Sequence, residues 1–225
     1  EAVALPTETV YGLGADAASA RAVAEIYRIK GRPAEHPLIV HVLGLDDARW
    51  WGEIGDDARR LIDAFWPGPL TLIVRRRSGA PPFASAGQDT VGLRAPAHPV
   101  ARALLEAFAA LGGHGIAAPS ANRFGRVSPT RAEHVADDLD GDVPLILDGG
   151  PCDVGVESTI VDVSRGTPVL LRPGGVDETR LAEVLGRVPA PRDALAPRAS
   201  GTLAAHYAPR TPLEIAAGGE ARERL

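Results

Sequence analysis

Short apolar runs alternate with amphipathic segments, and this pattern constrains the fold most strongly. Apolar runs typical of buried strands lie at 3–5, 38–43, 70–74, 91–94, 115–118, 145–147, 159–163 and 169–171. Segments with helical spacing of apolar residues lie at 17–29, 56–65, 99–111, 130–139 and 177–185. Strands and helices alternate early, and strands follow strands late. The order predicts an α/β fold with a twisted, mixed parallel and antiparallel sheet flanked by helices.

The composition indicates a folded domain. Of 225 residues, 45% are hydrophobic and 24% charged, which is enough to build a sizeable core. The net charge of -5 argues against a protein that coats itself with nucleic acid. The single cysteine, Cys152, excludes an internal disulfide and a cysteine-based zinc site. With no membrane-length apolar run and no signal-peptide pattern, we expect a cytoplasmic protein without membrane contact.

The first candidate sites lie in the amino-terminal third of the chain. Residues 6–14 combine hydroxyls, a carboxylate and two glycines. We interpret them as a strand-to-helix turn that presents N–H groups to an anion, or alternatively as a turn with an ordinary N-cap. Lys30 and Arg32 follow a predicted helix and can grip phosphate as a point charge and a fork. The alternative is that the helix C-terminus stabilises these cations by ~0.3–1 kcal/mol without a ligand.

Further candidates lie at strand ends. Arg94 ends an apolar strand, and a buried arginine must pair with an anion of the protein or of a substrate. Small residues before Ser120 and Asn122 permit close ligand approach, although a polar loop would look similar. Ser158 opens one strand and Arg172 closes the next, so both can face one cleft.

Several well-known site patterns are missing from the sequence. It has neither the phosphate-binding loop of nucleoside triphosphatases nor the dinucleotide fingerprint. It also lacks zinc-ligand spacing and the hydrolase nucleophile elbow. The arginine run at 75–77 is more typical of a solvated strand end than of an RNA contact.

Seven motifs, taken in order, resemble the YrdC/Sua5 family over residues 3–176. They are Pro-Thr-Glu-Thr-Val-Tyr-Gly-Leu-Gly at 6–14, Lys-Gly-Arg-Pro at 30–33, His-Pro-Leu-Ile-Val-His at 36–41, Phe-Trp-Pro-Gly-Pro-Leu-Thr-Leu at 65–72, Val-Gly-Leu-Arg-Ala-Pro at 91–96, Pro-Ser-Ala-Asn at 119–122 and Glu-Ser-Thr-Ile-Val-Asp at 157–162. The resemblance implies a YrdC-like single domain with an open concave active-site cleft.

The resemblance also implies a domain organisation. Residues 1–186 would form the catalytic domain. Residues 187–209 would be a linker that contains a His-Tyr-Ala-Pro motif. The first part of this segment is rich in Pro and Ala and lacks apolar periodicity. Residues 210–225 would begin a truncated C-terminal domain of the longer Sua5 branch.

The activity implied by the resemblance is that of a nucleotidyltransferase, threonylcarbamoyl-AMP synthase. L-Threonine, bicarbonate and ATP would give threonylcarbamoyl-adenylate and pyrophosphate. The product would pass to the tRNA threonylcarbamoyl transferase complex, which makes N6-threonylcarbamoyladenosine in tRNA. Mg²⁺ would enter with ATP through phosphate oxygens, and no dedicated protein metal site is expected.

Site residues follow from the resemblance position by position. Lys30 and Arg32 would be catalytic. The residues implied for threonine are Thr9, Tyr11, His41, Arg94 and Ser158, with Arg94 on the substrate carboxylate. The residues implied for ATP are Lys30, Arg32, His36, Thr90, Ala118, Ser120, Asn122, Ser128, Arg172 and Tyr207.

Two other interpretations stay open. An RNA-binding YrdC-type module would make weak RNA contacts, but the net charge of -5 and the scarcity of basic runs count against it. A YciO-like relative would share the fold without this activity. The pairs Lys30/Arg32 and Ser120/Asn122, together with the His-Tyr-Ala-Pro tail, favour the synthase.

Overall fold

The computed structural model describes residues 1–139 and 141–201. The strands are β1 (Val3–Leu5), β2 (Gly12–Asp16), β3 (Ile39–His41), β4 (Leu70–Arg75), β5 (Thr90–Arg94), β6 (Ile116–Ala117), β7 (Thr159–Asp162), β8 (Val169–Arg172) and β9 (Ala190–Pro191). The helices are α1 (Ala20–Lys30), α2 (Leu45–Trp51), α3 (Asp56–Phe65), α4 (Pro99–Ala110), α5 (Ala132–Leu139) and α6 (Glu178–Leu185). A 3₁₀ turn spans Phe83–Ser85. Within the described residues, every helix is too short or too polar to cross a membrane.

The strands form one sheet in the order β1-β2-β6-β3-β5-β4-β7-β8-β9. The pairs β3–β5, β4–β7 and β8–β9 are parallel, and the other neighbouring pairs are antiparallel. The predicted mixed sheet with flanking helices is thus confirmed. Strand β4 shows how both faces are buried, because Leu70, Leu72 and Val74 enter the main core while Ile73 enters a second cluster on the other face.

Helix α1 delivers two candidate residues to the site, and its ends explain their positions. Ser19 caps the start by accepting a hydrogen bond from the Ala22 N–H. Gly31 ends the helix at φ 61°, a left-handed conformation that glycine adopts without strain. The helix therefore stops with Lys30 buried, and the chain turns before Arg32.

Residues 6–14 differ from the sequence prediction. Gly12–Asp16 forms β2, so this segment joins two antiparallel strands and is not a strand-to-helix turn. The glycines weaken a strand signal, yet close packing requires one of them. A Cβ on Gly14 would lie 2.7 Å from Leu5 Cδ2 and 2.9 Å from Ile116 Cγ2. Tight packing between β1 and β6 selects glycine here over local strand preference.

Three other segments also differ from the prediction. The predicted strand at 145–147 is only an isolated bridge, in which Ile146 pairs with Ala4. Helix α2 was not predicted, because its seven residues are too few for a clear period. The segment predicted as a linker contributes β9 to the sheet edge and buries Ala199 in the same hydrophobic cluster as Ile160. Packing against a long apolar sheet orders this Pro-rich stretch.

Candidate active site

Several strand ends meet at one edge of the sheet and line an open cleft. Strands β3 and β5 are parallel, so His41 and Arg94 end side by side. The end of β8 and the segment leading into β7 complete this edge with Arg172 and Ser158. The cleft is lined by Thr7, Thr9, Val10, Gly12, Arg32, Ile39, His41, Arg94, Ala118, Pro119, Ser120, Glu157, Ser158, Arg172, Ser200 and Gly201.

Arg94 lies in a buried ion pair at the cleft wall. Its Nη2 donates to Glu8 Oε1 at 2.7 Å, and its Nη1 donates to Thr9 Oγ1 at 2.8 Å. Its Nε also donates to the Gly68 carbonyl at 3.3 Å. Both partners of the ion pair are buried, with side chains 4% and 9% exposed. The guanidinium is therefore fixed in place before any ligand arrives.

The hydroxyl of Thr9 has a defined polarity. Thr7 Oγ1 donates to the Val10 carbonyl at 2.6 Å, which uses its one hydrogen. Thr9 Oγ1 lies 2.9 Å from Thr7 Oγ1 and must therefore be the donor between the two. Because Thr9 Oγ1 also accepts from Arg94, only a lone pair remains for a ligand. Thr9 can accept a hydrogen bond in the cleft but cannot donate one.

Arg172 organises the opposite wall. Its Nε and Nη2 donate to the Ser158 carbonyl at 3.0 and 2.8 Å, and its Nη1 donates to the Ser200 carbonyl at 3.0 Å. The Ser158 hydroxyl accepts from Arg172 at 3.1 Å and lies 2.7 Å from the Thr71 hydroxyl. Glu157 Oε2 stands 3.8 Å from the same guanidinium. This wall thus combines one cation, one carboxylate and the Ser158 hydroxyl, with the Thr71 hydroxyl behind it.

Arg32 closes the third side of the cleft. Its Nη2 donates to the Pro37 carbonyl at 3.0 Å and to Ser200 Oγ at 3.3 Å. Its guanidinium carbon lies 5.8 Å from the centre of the Phe124 ring, within cation–π range. His36 packs on the same ring with 5.4 Å between ring centres. His36 therefore neighbours Arg32 without lining the cleft itself.

Lys30 lies beneath the cleft and does not line it. Its Nζ donates to the Ser120 and Asn122 carbonyls, each at 2.5 Å. Burial, followed by repulsion from Arg32, lowers the pKa of Lys30 to about 7. The Lys30 side chain supports the loop that presents Ser120.

His41 is a neutral group in a cleft of cations. Burial first, and the Arg94 charge second, lower the pKa of His41 to about 3. Its Nδ1 is buried without a hydrogen-bond partner among the residues that the structure describes. A buried, unpaired polar atom at the cleft wall is a natural partner for a polar ligand.

The remaining predicted residues lie around the cleft. Tyr11 is fully buried, and its hydroxyl donates to the Gly150 carbonyl at 2.7 Å, so it anchors a loop behind the site. The Ser128 hydroxyl donates to Glu157 Oε1 at 2.6 Å. Thr90, at the far end of β5, lines a neighbouring pocket that shares Ile39 and Ser200 with the cleft. Tyr207 and the His-Tyr-Ala-Pro motif lie outside the described residues.

The structure brings many of the predicted residues to the cleft wall. They are Thr9, Arg32, His41, Arg94, Ala118, Ser120, Ser158 and Arg172. Sequence reasoning assigned no role to Glu8 or Glu157, although both stand inside the motifs that carry the family resemblance. The available signal was Arg94 itself, since a buried arginine requires an anion nearby.

Three similar proteins bear on this arrangement. The threonylcarbamoyl-AMP synthase of Bacillus subtilis is 45% identical over 228 residues, covering 99% of this chain. A crystal structure of P. abyssi Sua5 complexed with L-threonine superposes with a TM-score of 0.85 at 42% identity, covering 93% of this chain. The crystal structure of E. coli YciO gives a TM-score of 0.66 at 28% identity, covering 78% of this chain and 84% of that one.

This chain covers only part of the length of its longer relatives. This chain spans 65% of the B. subtilis protein and 62% of the P. abyssi chain. A family model described as telomere recombination, which joins Sua5, YciO and YrdC sequences, matches residues 1–174. That match takes in every strand from β1 to β8 and nearly all of the cleft wall. The chain therefore belongs to the Sua5/YciO/YrdC family.

Proposed function

We propose that this chain is a threonylcarbamoyl-AMP synthase, a nucleotidyltransferase that joins L-threonine, bicarbonate and ATP and releases pyrophosphate. The observation that carries the proposal is the set of three buried guanidiniums around one cleft, those of Arg32, Arg94 and Arg172. They stand in a chain whose net charge is -5. The 45% identity to the B. subtilis synthase supports the same activity.

The chemistry of the reaction matches this charge pattern. The threonine amine must combine with bicarbonate to form a carbamate and water, and a carbamate oxygen then attacks the α-phosphate of ATP and displaces pyrophosphate. Every reactant is anionic or carries a carboxylate, so the reaction needs fixed cations and oriented donors more than a nucleophile. We assign Arg32 and Arg172 to the phosphates and Arg94 to the threonine carboxylate.

Two uncharged side chains of the cleft, Thr9 and His41, can contact the parts of threonine other than its carboxylate. Thr9 offers only a lone pair, which can accept a hydrogen bond from the threonine ammonium or hydroxyl. His41 stays neutral near pH 7, so its Nδ1, which has no hydrogen-bond partner among the described residues, adds a polar contact without repelling a cation. The complex of P. abyssi Sua5 with L-threonine supports threonine as the ligand of this side.

The proposal includes Mg²⁺ bound to the phosphate oxygens of ATP. Among residues 1–139 and 141–201, no three His, Cys, Asp or Glu side chains converge into a metal cage. Mg²⁺ is commonly held by substrate phosphates and one or two carboxylates, and Glu157 offers a carboxylate at the cleft wall. The ion would supply charge neutralisation on the phosphates.

The product and its destination are part of the same proposal. Threonylcarbamoyl-adenylate is an activated mixed anhydride, so a group-transfer enzyme must consume it. We assign that step to the tRNA threonylcarbamoyl transferase complex and expect both proteins in the cytoplasm. The identity to E. coli YciO, 28%, is well below that to the B. subtilis synthase, which favours the synthase over a YciO-like role.

The test measures pyrophosphate release from ATP with threonine or bicarbonate omitted in turn, with the adenylate detected by mass spectrometry. We expect release only when both are present. Arg94→Ala should raise the threonine KM at least tenfold, whereas the exposed Arg28→Ala on helix α1 should match wild type. Release that needs neither threonine nor bicarbonate would contradict the proposal. RNA binding that weakens steeply with salt, without turnover, would favour the RNA-binding alternative.

A further inference from the structure

We propose that Glu8 is a positioning residue for the substrate amino acid, acting through Arg94. The inference rests on the proposed function, in which Arg94 receives the threonine carboxylate. Glu8 stands behind Arg94 and is not part of the cleft wall. Its task would be to hold the guanidinium at one angle to the cleft.

The two oxygens of Glu8 have two different partners. Oε1 accepts from Arg94 Nη2 at 2.7 Å, and Oε2 accepts from the Ala97 backbone N–H at 3.0 Å. Ala97 follows β5 by three residues, so the carboxylate joins the β1–β2 loop to the chain just after Arg94. Because a backbone N–H holds Oε2, the Glu8 carboxylate is a rigid support for the guanidinium on Oε1.

The hydrogen-bond count on Arg94 shows what the support leaves for substrate. A guanidinium carries five N–H groups. Glu8, Thr9 and the Gly68 carbonyl take three of them. One N–H on each Nη has no partner among the described residues, and these two can donate to a substrate carboxylate. Rotation of the guanidinium would misalign both.

The support specifically requires a carboxylate of this length. In Glu8→Gln, one end of the side chain is an amide NH₂. If the amide NH₂ faces Ala97, it opposes the backbone N–H, which is also a donor. If the NH₂ faces Arg94, it opposes the Nη2 donor. Glu8→Asp keeps the charge but is one methylene shorter, so it cannot span both partners.

Two consequences of Glu8→Gln oppose each other. The variant loses a hydrogen bond that orients Arg94, which weakens the binding of threonine. It also removes a negative charge close to the site of the substrate carboxylate, which strengthens binding. We expect the loss of orientation to dominate. A guanidinium at the wrong angle cannot bind the threonine carboxylate in the correct geometry, even when the negative charge of Glu8 is gone.

A double-mutant cycle of Glu8→Gln and Arg94→Ala tests this on the full chain. The readouts are kcat and KM for threonine, KM for ATP, calorimetric threonine binding and thermal unfolding. We expect Glu8→Gln to raise the threonine KM at least tenfold while the ATP KM stays within twofold. In the Arg94→Ala background, the same change should alter the threonine KM less than twofold, because Glu8 acts only through Arg94. Glu25→Gln, an exposed ion-pair variant on α1, is the matched control.

Each outcome decides the matter. Additive effects, an equal rise of both KM values, or tighter threonine binding by Glu8→Gln would overturn the positioning role. A wild-type chain that binds threonine without releasing pyrophosphate would refute the proposed function, and the calorimetric cycle alone would then decide on Glu8. A wild-type chain that does neither would refute both. Should Glu8→Gln not fold, Glu8→Asp takes its place in the same cycle, with at least a threefold rise in the threonine KM expected.

Discussion

Lys30 should make the stability of the protein rise with pH above neutrality. Its pKa is lowered to about 7 in the folded state, mainly by burial, against an ordinary value of 10.5. Between these two pH values the unfolded chain binds more protons than the folded one. Linkage then requires the free energy of unfolding to increase as pH rises through the folded pKa. The slope approaches ~1.4 kcal/mol per pH unit, so the free energy of unfolding should rise by roughly 2–3 kcal/mol between about pH 6 and pH 9.

The perturbation is Lys30→Met, which keeps the length of the side chain and removes its titration. Urea unfolding of wild type and variant at pH 6, 7, 8 and 9 gives two curves of free energy against pH. We expect their difference to grow by roughly 2–3 kcal/mol in favour of wild type across this range. Other titrating groups are shared and cancel in the difference. Arg28→Met on the same helix is exposed and should run parallel to wild type.

A specific result would refute this reasoning. If the curves of wild type and Lys30→Met run parallel up to pH 9, then Lys30 remains an ammonium throughout. The two carbonyls of Ser120 and Asn122, each 2.5 Å from Nζ, would then outweigh the cost of burial. The lysine would be a permanent cation beneath the cleft.

Three further predictions use unfolding measurements. Gly174→Ala should lower the free energy of unfolding by about 1–3 kcal/mol, because the new Cβ would lie 2.3 Å from the Glu157 carbonyl oxygen. The control Gly55→Ala, where a Cβ would meet open space, should change stability little. Equal effects of the two substitutions would contradict the packing argument. Leu72→Ala, fully buried at the sheet centre, should cost roughly 2–5 kcal/mol in urea, and a loss below that range would indicate a core that collapses onto the cavity. His41 has a folded pKa of about 3, below its ordinary 6.5, so the unfolded chain binds more protons between these values and stability falls as pH falls. From pH 6.5 to 5, wild type should lose roughly 1–2 kcal/mol more than His41→Gln, and identical losses would show that His41 is protonated in the fold.

The strands and helices with a clear period could be predicted from the sequence. Helix α3 has the predicted bounds Asp56–Phe65, and β4 differs by one residue at its end. Both bury one defined face against the core, so local pattern and tertiary packing agree. Strand β2 could not be predicted in this way, since its glycines are dictated by contact with Leu5 and Ile116, which are distant in sequence.

The residues that form the site could be predicted from the sequence, but the contacts between them could not. The cations and hydroxyls of the motifs could be named, and many of them do line one cleft. Which group faces the ligand depends on partners far along the chain. Lys30 points to carbonyls 90 and 92 positions away, and Arg94 pairs with Glu8 across 86 positions. No local pattern encodes such pairings.

The internal partners of the arginines have a consequence for catalysis. An isolated buried guanidinium would be costly and free to rotate, but Arg94 is paired with a carboxylate and Arg172 donates to two backbone carbonyls. The cleft therefore holds its cations at fixed angles before ATP or threonine binds. Donors that are already oriented stabilise developing charge without the cost of reorganisation during the reaction. Glu8 lowers the net positive charge of the site, so the same pair that fixes Arg94 also limits how tightly the site holds an anionic product.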